Sequence, residues 1–489
     1  MKKQQTVLGP FSRIEGDLEI RLEGDGKKIT SAYITAPMFR GFEEMLVGRN
    51  PLDALVIAPR VCGICSVSQS LAAQSALAKL AGVSPPKNAH LAFNLMQGTE
   101  NLSDLFAHFY LYFMPDLVQV EYQNRDWYPA VESRFKTGGS SWKKALEIRS
   151  SILGMLSPLA GKWPHSLAMH PNGLTKTISQ SERAELSDSL SKVIGFLETE
   201  TYGCSLDIFL GLKTASDLEV WVKEHKNSDL GMMLSVAFDE GWAELGKIDT
   251  PMMSFGAYEQ DQGEGQSQAV ASGFFNERLE ALDTTNITED LFSSWLVGPK
   301  KPLHPEKGVT ELSQDQSASD EKKYSYNKAP RYGGQVISVG PLARQVIDKN
   351  QLATSMNDAW GQSVLTRVLA RWIEVARLCL LMRGWLAELD PQKSFFTNGA
   401  LNFANGQAHG LIEAARGSLG HFIEVEKGKI SRYQIVAPTS WNFSPRDASG
   451  QAGACEQALI GLGYEGAKVS PELWMVVRSF DPCMQCTVH

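Results

Sequence analysis

The sequence predicts a mainly α protein, a large helical-bundle core with small peripheral β-hairpins near the N- and C-terminal regions. Three observations carry this. Long stretches repeat apolar residues every three or four positions, and two shorter stretches near the ends alternate apolar and polar residues around a glycine-containing turn. The composition, 43% hydrophobic and 21% charged over 489 residues, is that of a globular chain able to bury a large core. It excludes a disordered protein.

Residues 10–35 open the chain with Leu18, Ile20 and Leu22, then Ile29, Ala32 and Ile34, separated by Gly24-Asp25-Gly26; this is a hairpin pattern. Helical periodicity then covers 52–58, 66–81, 89–114, 143–156, 179–197 and 357–389. Leu95, Leu102, Leu105 and Phe109 fall on one predicted helix face, and two helices of this length imply a central bundle. Residues 300–330 are rich in Ser, Asp, Gln, Lys and Pro and read as a surface excursion. A second hairpin is predicted over 422–436, turning at Lys427-Gly428-Lys429.

A formal net charge of −8 argues against a nucleic-acid partner or an anionic membrane held by bulk charge. The most apolar long stretch, 364–386, is interrupted by Arg367, Arg371, Glu374, Arg377 and Arg383, so it does not read as a membrane span. Met1-Lys2-Lys3-Gln4-Gln5 is basic but is not followed by the apolar run of a signal peptide. The expected location is cytoplasmic, with membrane association only through a partner.

Seven cysteines cannot form a disulfide framework in a chain of this length, and the odd number leaves one thiol unpaired. Four of them form Cys62-Gly63-Ile64-Cys65 and Cys483-Met484-Gln485-Cys486, at opposite ends of the sequence. Each spacing lets two sulfurs bind one soft metal, such as zinc, copper(I), nickel or an iron–sulfur cluster. One such pair is also compatible with a thioredoxin-like motif or half a zinc site. A structural zinc usually has its pairs about 15–20 residues apart. These pairs can meet only if the whole fold closes the ends together, which favours a catalytic core metal over a structural zinc and one domain, 1–489, over three.

The flanking residues extend the pattern. They include Arg13-Ile14-Glu15-Gly16, Phe39-Arg40-Gly41-Phe42-Glu43 and Arg60-Val61-Cys62 on the N-terminal side. Lys328-Ala329-Pro330-Arg331-Tyr332, Glu413-Ala414-Ala415-Arg416-Gly417, Pro438-Thr439-Ser440 and Arg478-Ser479-Phe480-Asp481-Pro482-Cys483 follow. In order, and along essentially the whole chain, these resemble the large subunit of nickel–iron hydrogenases. The resemblance implies the hydrogenase large-subunit fold and dihydrogen cleavage at a buried nickel–iron centre whose iron carries carbon monoxide and cyanide.

By the same resemblance Cys62 and Cys483 are terminal nickel ligands, and Cys65 and Cys486 bridge to iron. Glu15 takes the proton from Cys483; as a bare residue it reads as a salt-bridged strand-end carboxylate. Glu43, the carbonyl of Ile435 and His489 match a magnesium site, although a terminal histidine is ordinarily solvated. Arg416 lies over the metals, Thr439 donates to cyanide, and Asp104 and Asp481 surround the arginine. Without the family match Arg416 reads as a surface residue and Asp481 as a helix cap before Pro482. Splitting dihydrogen needs a metal to take its electron pair and a base to take a proton, and soft sulfur suits the first need.

The departures are informative. Gln69 stands where many relatives have His, and Ala415 where Pro is common. The Cys-Gly-Ile-Cys-Ser-Val-Ser-Gln run resembles the subgroup of regulatory, dihydrogen-sensing and cyanobacterial-type uptake enzymes. Ile64 and Tyr112 fall at or near positions that line the family's gas channel, with ordinary core packing as the competing reading. Most members carry a C-terminal extension that is removed, and sensors lack it, so a gene product ending at His489 favours a sensor. A processed uptake or respiratory enzyme is the alternative. The implied partner is an iron–sulfur small subunit in an obligate heterodimer, because three remaining cysteines are too few for a relay of clusters. A sensor would add a histidine kinase.

Gly461-Leu462-Gly463-Tyr464-Glu465-Gly466 fits a dinucleotide fingerprint but lacks the surrounding βαβ pattern and reads as a loop. Cys204, Cys379 and Cys455 read as isolated buried thiols, and His108 as a core histidine beside Asp104.

Overall fold

The computed structural model describes residues 4–261, 266–299, 301–312, 322–466, 468–487 and 489. The N-terminal hairpin is present and gains a third strand. β1 (Gln4–Leu8), β2 (Glu19–Gly24) and β3 (Ile29–Thr35) form one antiparallel sheet in that order. Ile20 pairs with Ile34 and Leu22 with Ala32. These four side chains are buried, which fixes the register through the two-residue period.

α1 (Ser66–Ala81) starts directly after Cys65 and ends at Gly82, whose φ of 64° supplies the left-handed cap. α2 (Lys87–Ala107) runs into one π-turn over His108–Phe113. The amphipathic face expected for α2 is not seen. From Leu91 to Ala107 every residue is buried, because other elements pack on all sides of it. α3 (Ser140–Gly154) and α4 (Gln180–Phe196) follow, the latter opened by a capping box between Ser179 and Glu182.

β4 (Met252–Asp261) and β5 (Gln266–Asn276) form an antiparallel hairpin absent from the sequence reading. Met252 to Tyr258 is buried residue after residue, so no polar–apolar alternation marks it as a strand. α5 (Pro341–Ile347) precedes α6 (Val364–Glu388). The helix predicted over 357–389 is two helices. Gly361, at φ 62°, ends the first, and Ser363 caps the second by accepting from the Thr366 N–H at 3.3 Å. α2 crosses α6 at Gly98, where a Cβ would lie 3.2 Å from Leu378.

β6 (Gly406–Ala414), β7 (Gly417–Glu426) and β8 (Lys429–Val436) form the C-terminal antiparallel sheet, and the predicted second hairpin is β7–β8. α7 (Pro471–Ser479) leads to the second cysteine pair. One contiguous apolar cluster reaches from Phe11 to Cys486.

The surface reading of 300–330 needs correction at its C-terminal end. Residues 300 and 313–321 lie outside the described residues, and Lys301, Glu311 and Leu312 are exposed. Tyr324, Asn327 and Lys328 are buried, however. Their polar groups find partners inside: Asn327 Nδ2 donates to the Phe443 carbonyl at 3.0 Å, and Lys328 pairs with Glu43.

Candidate metal centre

The fold brings the two ends of the sequence together. Glu15 and Cys483 form a parallel β-bridge, and the Met484 N–H donates to the Glu15 carbonyl at 2.7 Å. Arg478 donates to the carbonyls of Ser12 and Arg13 at 2.8 and 2.9 Å, and both Arg478 and Arg13 pair with buried Asp116. Arg40 joins the cysteine loops. It donates to the Val61 carbonyl at 2.7 Å and the Arg60 carbonyl at 2.8 Å, and to the Gln485 side chain.

The four sulfurs of Cys62, Cys65, Cys483 and Cys486 consequently lie within 4.8 Å of one another, all buried. Cys62–Cys483 is 3.4 Å, Cys65–Cys486 is 3.2 Å and Cys483–Cys486 is 3.3 Å. Hydrogen bonds from its three neighbours hold the Cys483 thiol well below its ordinary range, and the same crowding drives Cys65 and Cys486 well above it. Four thiolates so close, shut from water, are tolerated only around a cation. The donor set therefore fits a soft metal ion. Cys204, Cys379 and Cys455 stand outside this group.

Arg416 stands at the end of the β6–β7 turn, with Nη1 3.0 Å from Asp104 and Nε 3.3 Å from Asp481. Burial opposes its charge, but Asp481, Asp104 and the sulfurs of Cys483 and Cys65 outweigh it and hold the guanidinium firmly protonated. Burial pushes the Asp104 carboxyl well up. At Asp481 burial acts the same way but is overcome by Arg416, His108 and Arg371, so this carboxylate lies below its ordinary range. The Thr439 hydroxyl accepts from the Cys483 N–H at 3.1 Å.

Glu15 is half-buried, and burial with the nearby Cys62 raises its affinity for a proton against the pull of Arg416 and Arg40. With Ile64, Tyr112, Arg13 and Arg416 it lines a cavity of about 10 Å³. That is room for about one water molecule. His108 is buried, bonds the Arg478 carbonyl through Nε2 at 2.7 Å, and is held neutral by burial, its pKa near 3. Gln69 Oε1 meets His421 Nε2 at 2.7 Å, and its amide nitrogen has no partner among the described residues.

Below this group lies the Glu43 cluster. Glu43 accepts from the Ile435 N–H at 2.7 Å and stands 3.5 Å from His489 Nε2. His489 Nδ1 lies 2.8 Å from the Cys486 carbonyl. Lys328 is 3.0 Å from Glu43, 3.5 Å from Glu289 and 2.7 Å from Gln434 Oε1. In this cluster Lys328 is the cation that the buried carboxylates of Glu43 and Glu289 share.

Sequence reasoning missed two supports. Arg344 on α5 makes a fork to Glu374 at 2.7 and 2.8 Å and donates to Glu413 at 2.7 Å. It also donates to the carbonyls of Ala414 and Ala415, both at 2.9 Å, which fixes the turn that carries Arg416. Glu100 on α2 accepts from the N–H groups of Val67 and Ser68 at 2.8 and 2.9 Å, capping α1 just beyond Cys65. A buried Glu in a helix pattern was the available signal.

Fold and site together define a protein whose four buried thiols could hold one soft metal ion, with a guanidinium and a carboxylic acid beside them. The family described as nickel-dependent hydrogenase matches residues 40–142 and 137–489, and the chain belongs to it. It is 27% identical to the periplasmic [NiFeSe] hydrogenase large subunit of Desulfomicrobium baculatum, over 100% of this chain and 95% of that one. It is also 27% identical to the hydrogenase-1 large chain of Escherichia coli (strain K12), over 99% and 95%. Among solved structures, the as-isolated oxidized Ni-Fe-Se hydrogenase of D. vulgaris Hildenborough aligns over 100% of both chains with a TM-score of 0.84 at 26% identity. The chain is a nickel–iron hydrogenase large subunit that acts in dihydrogen oxidation. Among the described residues no helix is long and apolar enough to cross a membrane.

Proposed function

We propose that this chain is the catalytic subunit of a regulatory, dihydrogen-sensing hydrogenase built as a single domain over 1–489. Cys62 and Cys483 would hold nickel terminally, and Cys65 and Cys486 would bridge to an iron bearing carbon monoxide and cyanide. Magnesium would sit between Glu43, the Ile435 carbonyl and His489. When bound, the nickel–iron centre polarises dihydrogen and takes up its electron pair. The convergence of four buried thiols from both ends of the chain, beside Arg416, carries this reading.

The protein's own part is proton handling and orientation. Cys483 Sγ receives the proton and Glu15, joined to it through the backbone bridge, takes it onward. Thr439 accepts from the Cys483 N–H, which leaves its own O–H to donate to cyanide. Arg416, held between Asp104 and Asp481, presents a fixed positive charge where negative charge develops. Electrons leave through an iron–sulfur small subunit in a heterodimer.

Ile64 and Tyr112 on the narrow cavity favour the sensor, as restricted gas access would. A histidine kinase would then receive its output in the cytoplasm. The uptake reading is favoured by relatives such as the uptake hydrogenase large subunit of Afipia carboxidovorans, 27% identical, and the periplasmic relative favours export with a partner. Turnover per nickel separates them, being slow for a sensor. For the proton route, Glu15→Gln should retain nickel and lower deuterium exchange with water about 100-fold or more. Exchange at the wild-type rate in that variant would remove Glu15 from the route.

A further inference from the structure

We propose that a cleft between α1, α2, β4 and β6, separate from the cysteine pocket, binds a small single-ring molecule that presents N–H donors. Its volume is about 170 Å³. A cavity of roughly 150 Å³ already holds a benzene ring. Leu71, Phe93, Leu411 and Ile412 supply apolar wall.

The polar floor sets the ligand's chemistry. Gln74, Asn94 and Gln97 are buried, 3%, 3% and 1% exposed. Each uses its amide nitrogen on a main-chain carbonyl: Gln74 on His170 at 3.2 Å, Asn94 on Glu259 at 2.8 Å, Gln97 on Glu413 at 2.8 Å. With the nitrogens fixed, the three carbonyl oxygens are fixed as well. Among the described residues these oxygens accept no hydrogen bond, and all three residues line the cleft, which makes the oxygens its available acceptors.

A ligand without donors would leave these oxygens dry and unpaired, and a carboxylate would meet them with like charge. An aromatic amide or amine satisfies both wall and floor. The mouth, with exposed Lys79 and the His90–Glu259 pair at 3.2 Å, carries both signs and excludes neither. Occupancy would bear on the centre, because the lining elements lead to it. α1 follows Cys65, α2 carries Asp104, and β6 ends two residues before Arg416.

The test is titration calorimetry on the full-length protein in its native complex, with benzamide, benzylamine and benzoate as probes. We expect benzamide to saturate with a Kd on the order of 1 mM. Benzoate should bind at least about tenfold more weakly. Ser75→Phe, which projects a ring from the α1 wall, should abolish benzamide binding at unchanged thermal midpoint. Gln74→Leu should weaken benzamide and leave benzoate unaffected, which keeps the test available if Ser75→Phe misfolds. The proposal is overturned if benzamide and benzylamine show no saturable binding, if benzoate binds as well as benzamide, or if folded Ser75→Phe binds like wild type. None of these three outcomes depends on metal loading, so failure here leaves the hydrogenase reading untouched.

Discussion

Arg344 touches no sulfur, yet it holds the turn that aims Arg416. It lies in an apolar segment, Pro341–Ile347, where sequence pattern alone indicates only a helix face. Its five contacts to Glu374, Glu413, Ala414 and Ala415 need a planar fork, which lysine cannot supply. Arg344→Lys should therefore keep the charge and the bound nickel but lower dihydrogen oxidation about tenfold to 100-fold. Wild-type activity at full nickel content would show that the turn is held by other means. Residues inside a motif were placed at the site by that motif, Glu15 by Arg13-Ile14-Glu15-Gly16 and Asp481 by the run into Cys483. Arg344, Glu100 and Lys328's partners Glu289 and Gln434 were not, because their roles arise from contacts between distant segments.

At the scale of elements, the helices with clear punctuation were legible. α1 has the predicted limits, since Cys65 precedes it and Gly82 closes it. β4 was hidden because Met252 to Tyr258 is buried on both faces and alternation vanishes there. β6 shows why close packing also escapes a sequence reading. A Cβ at Gly410 would lie 2.0 Å from the Ala72 carbonyl oxygen and 2.8 Å from the Ala76 nitrogen, so β6 rests on the α1 backbone itself. Gly410→Ala must push apart the strand leading to Arg416 and the helix following Cys65. The expected cost is about 3 kcal/mol. Chemical denaturation measures it, and a variant as stable as wild type would mean that the two elements can separate without loss.

For the whole molecule, closure of the chain on itself puts many carboxyls in the interior. Glu456 accepts from the Ile34 N–H at 2.9 Å and the Tyr324 hydroxyl at 2.8 Å, and burial raises its pKa from 4.5 to about 7. The folded chain thus holds this proton more tightly than the unfolded one. Its contribution to stability is complete below about pH 4.5 and is lost as pH rises to about 7. His108 and His421, pushed down to about 3 by burial, act in the opposite direction up to 6.5, so the raw pH slope mixes both. The difference between wild type and Glu456→Gln isolates one group. Relative to wild type, the variant should gain stability as pH rises from about 5 to 7.5, measured by thermal melting. A constant difference would place the Glu456 proton elsewhere.

The same closure gives the two cysteine pairs their meaning: the two ends of the sequence meet and set four thiols in one pocket. Infrared spectroscopy of the purified protein, with nickel and iron counted in the same sample, tests this most directly. One nickel and one iron per chain with carbon monoxide and cyanide bands is the expected result. A nickel-replete sample without those bands would contradict it.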